Sequence, residues 1–364
     1  MSDPRFATPG RVVVKVGSSS LRTPTGDFDR ALATSLVDQL ASVRHGGVEV
    51  VLVSSGAVAA GLTPLGLARR PSDLPRLQAA ASVGQGLLLH TYQEGFAARG
   101  LACGQLLLTP DDVIDRSRYL NARSTFDTLL ALGAIPLVNE NDTVATEELR
   151  FGDNDRLAAL VASMLGAQLL VLLTDVEGLL DDQRQLVDRV DDVGSLPARH
   201  QRRPGSEVGS GGIASKLEAT RIATFSAAHV VIAHARRSGV VQAVTQGERV
   251  GTWFPPSVRR PESRKLWIAF ARTPRGAVTV DAGAVSAIVE RGSSLLPVGV
   301  TATAGDFAPG DSVDVLGPDG TVVARGLSAY DRTTLDSIRG RSSADLSQER
   351  APRPVIHRNQ LVVL

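Results

Sequence analysis

Five short apolar runs alternate with longer segments of helical period, and this alternation constrains the fold more than any other feature of the chain. The runs are 11–16, 48–53, 104–108, 135–138 and 169–173. Most are apolar throughout rather than at every second residue, as expected of strands covered on both faces. Between the first two runs, Leu32, Leu36, Val37, Leu40 and Val43 recur at the spacing of one helix face, and Gly46-Gly47 ends that helix. The segments 79–98, 119–132 and 156–165 read as further helices. The predicted fold class is therefore α/β, a mainly parallel open sheet with helices on both faces. In such sheets ligands bind beyond the carboxyl ends of the strands. The polar clusters fall at those ends: Gly17–Ser20, Ser54–Gly56, Asn139–Asp142 and Thr174-Asp175.

The pattern changes after residue 254. The stretch 254–264, FPPSVRRPESR, holds three prolines and reads as an interdomain linker. Beyond it, short strand-like runs at 277–280, 312–316 and 321–324 alternate with Gly/Pro/Asp turns, Pro318-Asp319-Gly320 being a hairpin signal. One short helix is expected near 282–290. The predicted domains are thus 1–260, 265–350 (small and β-rich) and a C-terminal tail, 351–364.

Several classes are disfavoured by composition. The net charge is +1, so no overall field favours nucleic acid or an anionic membrane. Residues 265–364 carry 11 Lys/Arg against 10 Asp/Glu and show no basic stripe with stacking aromatics, so RNA binding is not the expectation. The single cysteine, Cys103, excludes an intrachain disulfide and reads as a buried strand residue. The opening residues MSDPRFATPGR lack a hydrophobic signal core, and the most apolar stretch, 167–174, is too short to span a bilayer. A cytoplasmic location is expected. There is no Walker motif, no G-x-G-x-x-G after a strand, and no histidine spacing of a zinc site.

Of 39 basic residues only Lys15, Lys216 and Lys265 are lysines. In a chain biased to arginine, a retained lysine suggests a place needing a compact ammonium. Lys15 interrupts the apolar run VVVKVG and needs an anion near the strand end, either a ligand or a core carboxylate. Gly17 and Ser18–Ser20 offer amides and hydroxyls suited to phosphate. The segment GSGGIASK, 209–216, opens a helix with glycines that let backbone amides approach an anion. Its alternative reading is a plain flexible linker. Lys216 in the first turn opposes the helix dipole unless an anion lies there. The acidic stretch 139–155, NENDTVATEELRFGDND, is either a solvated loop with a helix cap or a recognition element. The sets Asn139/Asn141/Asp142 and Asp153/Asn154/Asp155 suit a zwitterion and the orientation of lysines. The run LLVLLTDVEGL ends a buried strand in Thr174-Asp175, a weak signal by itself.

Together these segments resemble the amino acid kinase family. The resemblance rests on VVVKVGSSSL, VLVSSGAVAAGL, DRSRYLNAR, PLVNENDTVA, FGDNDRLAALVA, LLTDVEGL and GSGGIASKLEAT, in order over about residues 11–260. RGAVTVDAGAVSAIVERGSSLLPVGV and GDFAPGDSVDVL resemble a PUA domain. The resemblance implies ATP- and Mg²⁺-dependent phosphorylation of the side-chain carboxylate of L-glutamate to L-glutamyl 5-phosphate, the first step of proline biosynthesis. By motif position, Lys15, Thr174, Asp175 and Ser210, Gly211, Gly212, Ile213, Ala214, Ser215 and Lys216 would bind ATP. Ser55, Asp142 and Asn154 would bind glutamate, and Asp155 would hold Lys15 and Lys216, these three being the catalytic set. No direct protein ligand to metal is implied, Mg²⁺ arriving with ATP. The resemblance also implies proline as feedback inhibitor, a homo-oligomer (dimer or tetramer) and coupling to glutamyl phosphate reductase. The alternatives are a related kinase acting on acetylglutamate, aspartate or carbamate, and an RNA-binding PUA protein. Asp142 favours a free α-ammonium over an acetylated one. Two departures stand out: Arg150 replaces a lysine, and the stretch after Asp175 lacks the family's tyrosine and Asp-Pro, leaving the adenine contacts open.

Overall fold

The computed structural model describes residues 4–109, 112–113, 115–144, 154–197, 212–257, 274–341 and 353–363. The chain divides into two compact units, Met1–Arg260 and Pro261–Leu364.

In the first unit the strands are β1 (Arg11–Val16), β2 (Glu49–Ser54), β3 (Cys103–Leu108), β4 (Ile135–Glu140), β5 (Leu169–Thr174), β6 (His229–His234) and β7 (Thr252–Phe254). They form one sheet in the order β3-β4-β2-β1-β5-β6-β7, with only the β6–β7 pair antiparallel. The helices are α1 (Arg30–His45), α2 (Ala57–Leu62), α3 (Leu74–Ala97), α4 (Arg116–Ala131), α5 (Asn154–Leu165), α6 (Ile213–Phe225) and α7 (Val240–Thr245). The mainly parallel α/β architecture is as expected. Val12, Val14, Val16, Val50 and Leu52 point into one apolar core with Leu36, Leu40 and Phe96. Lys15 alternates to the other face of β1, which α5 covers.

Helix boundaries differ where capping chemistry overrides apolar period. The helix expected from residue 79 starts at Leu74, because Asp73 accepts a bond from the Arg76 N–H and Pro75 suits the first turn. Asp29 caps α1 in the same way, through the Leu32 N–H. Helices α2 and α3 touch backbone to backbone. A Cβ at Gly84 would lie 1.8 Å from the Ala57 carbonyl oxygen, and one at Gly61 1.9 Å from that of Ala80. Only glycine permits this approach, and it pins α3 against the turn that follows β2.

The second unit holds β8 (Gly276–Val280), α8 (Ala282–Val289), β9 (Val300–Gly305), β10 (Ser312–Leu316), β11 (Val322–Leu327), α9 (Arg332–Ile338) and β12 (Leu361–Val363). Its sheet runs β12-β11-β10-β8-β9. The Pro318-Asp319-Gly320 turn joins the antiparallel β10 and β11, with Gly320 at φ 80° and Asp319 accepting from the Thr321 N–H. One expectation is corrected here. Residues 351–364 were expected to be a tail, but β12 pairs with β11, and Val355 and Ile356 are fully buried in the second core. A polar run before them hides the fact that this short apolar end completes a sheet edge. Among the described residues no helix is long and apolar enough to cross a membrane.

Candidate active site

All parallel strands of the first sheet present their carboxyl ends on one edge. There β1 gives way to Gly17, β2 to Ser55-Gly56, β4 to Asn141-Asp142 and β5 to Asp175. Strand β1 lies between β2 and β5, so the Gly17 turn sits at the centre of this edge. Such a position is where ligands bind in open α/β sheets.

Three charged side chains meet beneath it. Asp155, in the first turn of α5, is fully buried. Its Oδ1 pairs with the Lys15 ammonium, and its Oδ2 lies 3.0 Å from Lys216 Nζ and 3.2 Å from the Ser215 hydroxyl. Lys15 and Lys216 are themselves 1% and 4% exposed. Two ammonium groups thus share one carboxylate inside the protein. The carboxylate gains from the α5 dipole, and it offsets the poor placement of Lys216 in the first turn of α6. Of the two readings of Lys15, a core carboxylate is thus present, and it is shared with Lys216.

Beside this cluster lies a set of uncharged polar groups. Asn154, next to Asp155, donates from Nδ2 toward Ser55 Oγ at 3.0 Å, Asn139 Oδ1 at 2.7 Å and the Ser54 carbonyl at 3.1 Å. Asn139, at the end of β4, donates to Gln85 Oε1 of α3 at 2.8 Å. The Ser54 hydroxyl and the Tyr92 phenol are 3.1 Å apart, and burial pushes the Tyr92 pKa up, so the phenol stays neutral. Asp142 sits half-buried in the turn just beyond β4. Ser55, Asn154, Asp155, Lys15 and Lys216 are thus joined through adjacent residues of α5.

The opposite flank carries Thr174 and Asp175. Thr174 is buried, and its hydroxyl donates to Asp175 Oδ1 at 3.1 Å. Gly212 is the extended N-cap residue of α6, and Ile213, Ala214 and Ser215 form its half-buried first turn. Ser210 and Gly211 lie outside the described residues, as do Arg150 and Asp153. Arg236 braces the turn after β1: its guanidinium pairs with Asp29 at 2.8 Å and reaches the carbonyls of Ser20 and Arg22, both at 3.3 Å. Cys103 lies on the edge strand β3, where burial pushes its thiol up to about 12, and it has no place in the site. Gln85, Tyr92 and Arg236 left no mark in the linear pattern, since helix periodicity and turn residues do not announce side chains that meet across elements.

The Gly17 turn, the N-terminus of α6 and the two buried lysines gather at this edge, an arrangement suited to phosphoryl transfer. Residues 10–234 match the model of the amino acid kinase family, and the chain belongs to that family. Residues 276–349 match the PUA domain. The chain is similar over nearly all its length to proteins named glutamate 5-kinase. It is 50% identical to that of Frankia casuarinae over 97% of this chain and 96% of the relative. It is 50% identical to that of Streptomyces avermitilis over the same shares. It is 43% identical to that of Trichlorobacter lovleyi, again over 97% and 96%.

Proposed function

We propose that the chain acts as a glutamate 5-kinase, transferring the γ-phosphoryl group of ATP to the side-chain carboxylate of L-glutamate. The observation that carries this reading is the buried Lys15–Asp155–Lys216 cluster, set beside the uncharged polar groups of Ser55 and Asn154 on one sheet edge. The acceptor carboxylate is ionised at neutral pH and needs no general base. One of its oxygens attacks the γ-phosphorus, the bond to the β,γ-bridging oxygen breaks, and ADP leaves with that electron pair. What the protein supplies is position and charge. Lys15 and Lys216 draw two anionic reactants together and spread the charge of the transferring group, and Asp155 holds both ammoniums in place. The α6 N-terminus from Ser210 to Lys216, with Thr174 and Asp175, holds the nucleotide. Ser55 and Asn154 hold the amino acid, and Asp142 pairs with its α-ammonium. A buried cationic pair suits a triphosphate, and Mg²⁺ arrives as part of that substrate and supplies further charge neutralisation.

The product, an acyl phosphate, is short-lived in water, which favours coupling to glutamyl phosphate reductase. Proline keeps the ammonium and α-carboxylate of glutamate, so it competes for Asp142 and Asn154 as a feedback inhibitor. The protein works in the cytoplasm as a homo-oligomer, and its PUA unit lies outside the chemistry. Incubation with ATP, Mg²⁺ and hydroxylamine, which traps acyl phosphates, tests the reading. Hydroxamate is expected from glutamate and not from N-acetylglutamate or aspartate; none from glutamate would overturn it.

A further inference from the structure

The polar groups beside the lysine cluster form one chain of amides whose direction is set by backbone groups at Glu140 and Ser54. The Glu140 backbone N–H can only donate, and it lies 2.9 Å from Asn139 Oδ1. That atom is therefore the oxygen, and the Asn139 amide nitrogen must face Gln85. The atom of Gln85 that meets it must then be its oxygen, Oε1, at 2.8 Å. On the other side, Asn139 Oδ1 and the Ser54 carbonyl can only accept, so Asn154 must present its nitrogen to both. Among the described residues, Asn154 Oδ1 is left buried without a donor, and Gln85 Nε2 buried without an acceptor. Orphaned buried polar atoms are rare. Here they stand at the two ends of one chain with opposite sense, an acceptor and a donor, matching the ammonium and carboxylate of a zwitterion.

We infer that Gln85 is a positioning residue of the amino acid site. Its Oε1 accepts the Asn139 amide bond and so holds Asn139, whose direction the Glu140 N–H sets, against Asn154, which faces the substrate with its oxygen. The backbone contact at Gly84 holds Gln85 rigidly beside the turn bearing Ser55. This inference rests on the proposed glutamate kinase activity and adds to it a residue that the linear motifs do not contain.

The test is a cycle of Gln85→Met, Asn139→Ala and the double variant, with wild type in parallel. Hydroxamate kinetics supply KM for glutamate and for ATP, calorimetry supplies glutamate binding, and melting curves check folding. Gln85→Met, nearly equal in volume, should raise KM for glutamate about tenfold, the size of one oriented hydrogen bond to a charged group. KM for ATP should stay within about twofold, as the nucleotide flank does not touch this chain of amides. In the Asn139→Ala background the same change should add less than about twofold, because Gln85 acts through Asn139. A full tenfold effect in both backgrounds would overturn the inference, as would parallel shifts in both KM values, or an active wild type indistinguishable from Gln85→Met. A wild type that neither turns over nor binds glutamate would overturn the proposed function together with it.

Discussion

Asp155→Asn and Lys216→Met should have opposite balances of folding and catalytic damage, and the charge count of the cluster says why. The native trio of Lys15, Asp155 and Lys216 sums to one positive charge, with side chains 5% exposed or less. Asparagine at 155 removes the carboxylate that both ammoniums contact, leaving them facing a neutral amide in a buried site. Breaking a buried pair by removing one partner typically costs about 3–5 kcal/mol. At about 2–4 °C per kcal/mol for a folding unit of this size, the melting temperature should fall by about 6 to 20 °C. Lys216→Met instead leaves a neutral Lys15–Asp155 pair and an apolar stem of similar length. The lost bond is offset by the ammonium no longer being desolvated, so the change should stay within about 1 kcal/mol. Catalysis should suffer in both, by on the order of a hundredfold or more in kcat, since a preorganised charge is lost. Melting curves with and without MgATP, alongside hydroxamate kinetics, separate the two. Nucleotide should rescue Asp155→Asn more than wild type, because the triphosphate supplies the missing negative charge. Equal destabilisation by the two substitutions, or an Asp155→Asn variant melting within about 2 °C of wild type, would refute the charge argument.

Asp142→Asn should raise KM for glutamate about tenfold or more, from the loss of about 1.5 kcal/mol of charge-assisted bonding, with KM for ATP little changed; kinetics with each substrate varied in turn decides it. Gly84→Ala should fail to fold or lose about 3 kcal/mol or more, since its Cβ would overlap the Ala57 carbonyl, as a denaturant titration would show. His229 is stacked on Phe6 at 4.5 Å and accepts a bond from Trp253 Nε1 at 3.2 Å, and burial lowers its pKa below the ordinary value of 6.5. Its stabilising contribution is therefore fully present above about pH 6.5 and is lost as pH falls through the lower folded value, so the fall in melting temperature over that range should be shallower in His229→Phe. A chain ending at Arg260 should still form hydroxamate from glutamate, because every described site residue lies in the first unit; a soluble, cooperatively folded truncation without turnover would place part of the site beyond it.

The alternation of apolar runs and helical periods was enough to determine the parallel sheet, because strands buried on both faces and amphipathic helices leave opposite marks in a linear pattern. The site's edge followed from it, since polar residues just past apolar strands cluster at the strand ends. Lys15 and Lys216 were legible too, as rare lysines against an arginine background at turns rich in glycine and serine. Their common partner was less so. Asp155 lies 140 residues from Lys15 and 61 from Lys216, and only the close packing of β1, α5 and α6 brings its two oxygens to both ammoniums. The same holds for Gln85, Asn139, Asn154 and Ser55, which are linked by hydrogen bonds between α3, β4, α5 and the end of β2. The end of the chain misled for a related reason. Whether Leu361–Val363 is a loose tail or a strand depends on an open edge of β11 to pair with, and a short apolar run has no period from which that edge could be read. Periodicity records which way each side chain faces, inward or outward. Which inward-facing polar groups meet is decided by the packing of distant elements, where a misplaced charge or unpaired amide costs enough to select one arrangement.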